Sequence, residues 1–183
     1  MPIRGEHPSD SGIAMCVLLS EEGARSCKRL MACESQSVIL VVDDSPNDVA
    51  LLQRAFERVG VQNPLAVCKG GAEAIDYLLG HDLPCVMLLD LRMPATNGFD
   101  VLKRVKSDPR LKELIVIVLT TSGEVEDIRR SYELGANSFL TKPVNLDEFQ
   151  DMVSAFHKYW VLTNRPPAAG SEGGHQPRPS PAS

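Results

Sequence analysis

Five short apolar runs punctuate the middle of the chain: Val38–Val42, Leu65–Cys68, Cys85–Leu89, Ile115–Leu119 and Ser138–Leu140. Each is short enough for a strand and too short for an independent helix. Continuous apolar runs, rather than alternating ones, mark strands buried on both faces. The segments between them carry helical spacing. Val49, Leu52, Phe56 and Val59 fall at i, i+3, i+7 and i+10, and Pro46 suits a first helical turn capped by Ser45 or Asp44. Ala74, Tyr77 and Leu78 mark a second helix that Gly80 can end, and Phe99, Leu102 and Val105 a third. Val125, Ile128, Tyr132 and Leu134 mark a fourth, ended by Gly135; Leu146, Phe149, Val153, Phe156 and Trp160 mark a fifth. Five strand–helix alternations predict an α/β fold, a doubly wound, five-stranded, all-parallel sheet covered by five helices.

The ends of the chain lack this pattern. Residues 1–36 show no sustained periodicity and read as a disordered extension, with Met15 and Met31 as alternative starts. The ordered domain is expected over 37–163. Residues 164–183, almost all of them the stretch "RPPAAGSEGGHQPRPSPAS", are Pro/Gly/Ser-rich and read as a disordered tail. The segment beyond Trp160 is too short for a DNA-binding or enzymatic output domain. The apolar run Ile13–Leu19 is too short to span a bilayer, and "LMAC" at Leu30–Cys33 comes after charged residues where an exported protein would carry an apolar core. Neither a membrane anchor nor export is therefore expected.

Composition narrows the class further. Hydrophobic residues at 43% suit a globular core, and a net charge of −5 without any basic cluster argues against nucleic acid as a partner. The cysteines (Cys16, Cys27, Cys33, Cys68, Cys85) show no C-x-x-C spacing, and the histidines are scattered, so no zinc site is suggested. Cys68 and Cys85 lie in apolar stretches and read as small core residues; a reducing, cytoplasmic setting fits.

In a parallel sheet the chemistry lies beyond the carboxyl ends of the strands, at a topological switch point. The first strand ends in Asp43-Asp44, the third in Asp90, the fourth in Thr120 and the fifth in "SFLTK", whose last residue is Lys142. Three clustered carboxylates repel one another unless a cation sits among them, and hard oxygen ligands without His or Cys point to Mg²⁺. A carboxylate facing a lysine and a hydroxyl also suits a phosphoryl group. Taken singly each residue has a plainer reading. Asp44 is a helix cap, Asp90 a turn residue before "MPATNG", Thr120 a common strand end and Lys142 a solvated charge. Together, at the ends of successive buried strands, they point to one site.

The motifs "VVDDSPND", "LLDLRMPATNGFDVL", "VLTTS" and "SFLTKPV" in this order resemble the receiver domain of two-component response regulators, over about residues 37–163. The resemblance implies the flavodoxin-like receiver fold and a single-domain response regulator. Asp90 would then be the phosphoacceptor, charged by a sensor histidine kinase in a Mg²⁺-dependent, self-catalysed reaction. Asp43 and Asp44 would bind Mg²⁺ with Asp90 and the backbone carbonyl of Arg92, while Thr120 and Lys142 contact the phosphoryl oxygens. Phe139 would be the switch aromatic beside Thr120, able to swing but without a hydroxyl to donate. The Lys142–Pro143 peptide is expected to be cis. Thr121 is bulkier than the small residue usual after the switch threonine, and bulk there would hinder water or a phosphatase. "YWVLTNRPP" and "ANSFLTKPVNLDEF" look most like single-domain regulators paired with bacteriophytochrome-type kinases. Output would run through protein contacts with an unknown downstream protein, or through onward transfer of the phosphoryl group.

Two other functions compete. A haloacid-dehalogenase-type phosphatase also uses a strand-end aspartate and Mg²⁺, but it wants a second aspartate where Arg92 stands. A receiver-like module that no longer transfers phosphate would have lost an acid or the lysine, and this chain keeps them. The fifth helix carries Met152 and Tyr159 beside its apolar stripe. With the family resemblance, that wide face predicts a homodimer through the fourth and fifth helices and the fifth strand.

Overall fold

The strands form where the apolar runs lie: β1 (Ile39–Val42), β2 (Leu65–Cys68), β3 (Val86–Leu89), β4 (Val116–Thr120) and β5 (Ser138–Thr141). Helices α1 (Pro46–Val59), α2 (Gly71–Gly80), α3 (Gly98–Ser107), α4 (Val125–Glu133) and α5 (Leu146–Phe156) succeed them in turn. The computed structural model describes residues 36–94 and 96–164. Readings made on the N-terminal extension, including the Ile13–Leu19 run, and on the tail from residue 165 fall outside these. Among the described residues no helix is long and apolar enough to cross a membrane.

All strand pairs are parallel, in the order β2-β1-β3-β4-β5. The chain steps from β1 outward to β2, then crosses back over β1 to β3. The switch point therefore lies between the carboxyl ends of β1 and β3. Register makes those ends flush: Val42 pairs with both Cys68 and Leu89. The next residue of each strand, Asp43 and Asp90, is thus delivered to one edge.

Alternate strand residues feed two cores. Leu40, Val42, Met87, Leu89, Val116 and Val118 pack with Leu78, Leu102 and Val105 from α2 and α3. Ile39, Val41, Leu88 and Ile117 pack on the other face with Leu52 and Phe56 of α1 and Phe149, Val153 and Phe156 of α5. Phe56 and Phe156 meet with ring centroids 5.8 Å apart. By contrast α4 buries only Ser131, so packing holds it less firmly than its neighbours.

Helix ends obey local chemistry. The Ser45 side chain caps α1 by accepting from the Asp48 N–H. Asn97-Gly98 starts α3: the Asn97 carboxamide accepts from the Phe99 N–H. Gly135 ends α4 with φ 92° as its sequence suggests, and Gly60 does the same for α1 at φ 78°. The α-helix ends at Phe156, short of Trp160, although Trp160 still packs on the same core as the rest of the stripe. Past Phe156 the chain forms a π-helical stretch, His157–Thr163. Bonding to i+5 turns Val161 inward, five residues after Phe156, and leaves Trp160 half-buried against the edge of Tyr159. Cys68 is buried as its context implies, and burial pushes its thiol pKa up to about 11. Cys85 is half-buried where β3 begins.

Phe149 is 1% exposed between α1 and the sheet, whereas Leu162 is 64% exposed. Phe149→Ala should lower unfolding free energy by about 3–5 kcal/mol, and Leu162→Ala by no more than about 0.5 kcal/mol. Urea midpoints at constant m-value measure both.

Candidate functional site

The edge formed by the flush ends of β1 and β3 collects charge. The Asp43 N–H continues the ladder to the Cys68 carbonyl, and the Asp90 N–H to the Val42 carbonyl, so both backbones are fixed before their side chains diverge. The two carboxylates are buried. Asp43 Oδ1 accepts from the Ser45 N–H at 2.9 Å, and Asp90 Oδ1 accepts from the Arg92 N–H at 3.1 Å. Their remaining oxygens, Oδ2 of each, lie 2.8 Å from the Lys142 Nζ.

Lys142 reaches them from the end of β5, its own N–H bonded to the Thr120 carbonyl. Its side chain is 3% exposed. Burial by itself would lower its pKa, but contacts with three carboxylates outweigh that and hold it above the ordinary lysine value. The third carboxylate is Asp48, in the first turn of α1, at 2.8 Å. Burial raises the Asp43 pKa, and the Lys142 and Ser45 hydrogen bonds offset only part of that. The Lys142–Pro143 peptide is trans, against expectation. Trans is the form an X–Pro bond favours by about 0.5–1 kcal/mol.

Asp44 completes the acidic group. Ligand oxygens of Asp43, Asp44 and Asp90 all lie within 4.8 Å of one another. Three hard oxygen donors converging so closely, two of them buried, fit a Mg²⁺-type ion. The loop after β3 is shaped by close approach. A Cβ on Gly98 would stand 2.2 Å from the Asp90 carbonyl oxygen and 2.7 Å from the Leu91 Cα, so only glycine fits without moving the strand end.

Of the residues predicted from the sequence, Asp43, Asp44, Asp90 and Lys142 come together. Thr120 ends β4, fully buried, and its Oγ1 lies 3.5 Å from the Ser122 N–H; Thr121 beside it is exposed. Phe139 is half-buried on β5, opposite Val118, and packs on the core between the sheet, α2 and α3. Arg92 lies two residues past Asp90. Its guanidinium donates to Ser122 Oγ at 3.2 Å and to Asp127 Oδ2 at 2.9 Å, and Ser122 Oγ donates to the same Asp127 oxygen at 2.5 Å. The loops after β3 and β4 are thereby tied to α4. Sequence reasoning missed both this tie and Asp48. An acid in the first turn of a helix is commonplace, and the available signal was only its position one turn beyond the Asp43-Asp44 pair.

The family model for the response regulator receiver domain matches residues 39–154, and the chain belongs to that family. It is 37% identical over 143 residues to the probable methanogenesis regulatory protein FilR2 of Methanothrix harundinacea, covering 75% of this chain and 92% of that one. It is 36% identical over 138 residues to response regulator Rcp1 of Synechocystis sp., covering 72% and 94%. The Mn²⁺-bound form of Rcp1 superposes with a TM-score of 0.66 over 72% of this chain and 99% of that chain. The phosphorylated cyanobacterial phytochrome response regulator RcpA does so with a TM-score of 0.68 at 34% identity, covering 72% and 99%.

Lys142→Ala would strand buried carboxylates without their cation. In chelator at pH 7 it should lower stability by about 3–5 kcal/mol. A raised lysine pKa contributes stability that is fully present below the unfolded value, about 10.4, and is lost as pH climbs through the folded value. On the acid side the deficit should shrink once the carboxylates protonate, beginning with Asp43, whose pKa is raised. Urea titrations of both forms from pH 3 to 11 read the difference; a deficit independent of pH would refute this electrostatic account.

Proposed function

We propose that the chain is a stand-alone phosphoacceptor switch: Asp90 takes a phosphoryl group from a sensor histidine kinase in a Mg²⁺-dependent reaction, in a cytoplasmic setting. The observation that carries this reading is Asp90 itself, a buried carboxylate 2.8 Å from the Lys142 ammonium within a three-acid cluster. A carboxylate oxygen of Asp90 attacks phosphorus as the bond to the donor's nitrogen breaks, and the donor leaves with that electron pair. Lys142 stands ready to meet charge on the phosphoryl oxygens, and the Thr120 hydroxyl to donate to them. Asp43, Asp44, Asp90 and the Arg92 carbonyl would hold the divalent ion, which neutralises charge during transfer. The Mn²⁺-bound form of Rcp1 supports a divalent ion in a relative's site.

The phosphatase alternative loses further ground. The residue two past Asp90 is Arg92, a permanent cation committed to Ser122 and Asp127, which cannot serve as a general acid. The likeness to RcpA favours a phytochrome-type kinase, a bacteriophytochrome included, as phosphodonor. Output would run through protein contacts, and exposed Tyr132 on α4 with Tyr159 and Leu162 beyond α5 favours a second copy of the chain. Thr120 and Phe139 would shift the two-state equilibrium of that surface once Asp90 is charged.

With acetyl phosphate and Mg²⁺ the wild type should gain the mass of one phosphoryl group, and Asp90→Asn should gain none; persistence of the gain in the Asn form sinks the assignment. Mg²⁺ at 100 times its dissociation constant should stabilise the wild type by about 2.7 kcal/mol, and Asp44→Ala should remove most of that. Identical melting curves in chelator and in excess Mg²⁺ would exclude a metal site. A dimer should show in sedimentation velocity as concentration or phosphorylation rises, and weaken in Tyr159→Glu. Such an interface needs on the order of 1,000 Å² of buried surface, and a monomer under every condition refutes it.

A further inference from the structure

Lys142 has more partners than the phosphoacceptor reading requires. Its ammonium carries three N–H groups, and three carboxylate oxygens surround it at 2.8 Å, from Asp43, Asp48 and Asp90. Two of these acids have other duties. Asp43 already serves the Ser45 N–H and belongs to the metal-binding cluster; Asp90 belongs to that cluster and is the group to be esterified. Asp48 belongs to neither. Its place at the start of α1 would ordinarily let it turn back and accept the N–H of the capping residue, as a capping box does. That N–H belongs to Ser45 and is already taken by Asp43. The Asp48 carboxylate instead reaches across to Lys142, 94 residues along the chain.

Transfer changes the demand on the lysine. When an oxygen of Asp90 forms its bond to phosphorus, the donor departs with the electron pair and the esterified carboxylate ceases to be an anion. Its charge passes to the phosphoryl oxygens, and Lys142 must exchange Asp90 Oδ2 for one of them. Asp43 would at the same time be one of the residues holding the divalent ion. A flexible ammonium with no other anchor would be free to swing away at that moment.

We propose that Asp48 is a positioning residue for phosphoryl transfer: it anchors the Lys142 ammonium beside Asp90 before transfer and keeps it there while the bond to Asp90 is exchanged. This role rests on the phosphoacceptor reading of Asp90 and adds a residue outside the metal cluster. A purely electrostatic view gives the opposite sign. Asp48 adds a fourth negative charge near an incoming anion, so removing it would speed phosphorylation.

A double-mutant cycle separates these views. Initial rates of phosphorylation by acetyl phosphate at saturating Mg²⁺ are measured for wild type, Asp48→Ala, Lys142→Ala and the double variant. Asp48→Asn, which keeps an acceptor oxygen, serves as the conservative variant. The thermal midpoint of each is recorded. Asp48→Ala should slow the reaction roughly tenfold, the size of a charge-assisted hydrogen bond lost in the transition state, and Asp48→Asn should recover part of the rate. In the Lys142→Ala background the same substitution should change nothing. The ¹⁵N-resolved ammonium signal of Lys142 should be slow to exchange in wild type and broaden in Asp48→Ala, a test that needs neither Mg²⁺ nor phosphodonor. Equal losses in both lysine backgrounds, or faster labelling of Asp48→Ala, would overturn the proposal while leaving Asp90 as the acceptor. A wild type that never labels removes the phosphoacceptor reading and this proposal together.

Discussion

The contact on which the site depends is the Lys142 ammonium between buried carboxylates. Asp43 and Asp90 sit where two strands end, each out of water, and two desolvated anions at close range are unfavourable by several kcal/mol without compensation. Lys142 supplies one positive charge against them, with Asp44 and Asp48 adding to the negative side. The balance is still negative. A site that remains anionic after its own lysine is counted suits a divalent cation, and the near approach of three acids' oxygens would supply its ligands.

The scaffold makes this arrangement possible because it leaves the site no freedom in the backbone. Flush register of β1 with β2 and β3 brings Asp43 and Asp90 to one level, and the ladder holds both of their N–H groups. Glycine at position 98 lets the start of α3 press against the Asp90 carbonyl, where any side chain would clash. Rigidity ends at α4. That helix buries one residue, a serine, and its ties to the rest of the molecule are polar: Asp127 with Arg92, and Arg130 stacked 4.2 Å over the Phe99 ring. Polar ties at partly exposed positions are individually weak, so α4 is the element that a change at the strand ends can displace most cheaply.

Much of this was legible in the sequence, for physical reasons that mark where the rest was not. Buried parallel strands need unbroken apolar runs, so Val38–Val42 and Ile115–Leu119 announced β1 and β4 to within a residue at each end. One acid or lysine at the end of such a run has a plain structural reading, but several at the ends of successive runs do not, which is why Asp43, Asp90 and Lys142 stood out together. Asp48 did not, because a helix's first turn favours acids whatever they touch. The Arg92–Ser122–Asp127 tie joins loops far apart in the chain, and no local pattern encodes it. The π-helical stretch after Phe156 left no mark in a stripe read at 3.6 residues per turn, although Trp160 packs on the core as that stripe implies. The trans peptide before Pro143 went the other way from an expectation carried by resemblance alone, and an X–Pro bond is too evenly balanced for sequence to decide.

Arg92 joins these two levels. Its backbone N–H holds Asp90 Oδ1, while its guanidinium holds Asp127 on α4 and Ser122, whose own N–H lies near the Thr120 hydroxyl. On the phosphoacceptor reading, esterifying Asp90 removes the carboxylate that the Arg92 N–H and Lys142 both recognise, and brings an anion for the Thr120 hydroxyl to meet. Inverting a two-state equilibrium from 1:99 to 99:1 takes about 5.5 kcal/mol. Charge-assisted hydrogen bonds are worth roughly 1.5–3 kcal/mol apiece, so exchange of a few at one site reaches that scale. Arg92 lies in the loop that leaves Asp90 and is ion-paired to Asp127 on the α-helix with the fewest buried residues, so on that reading such an exchange has a short route to α4.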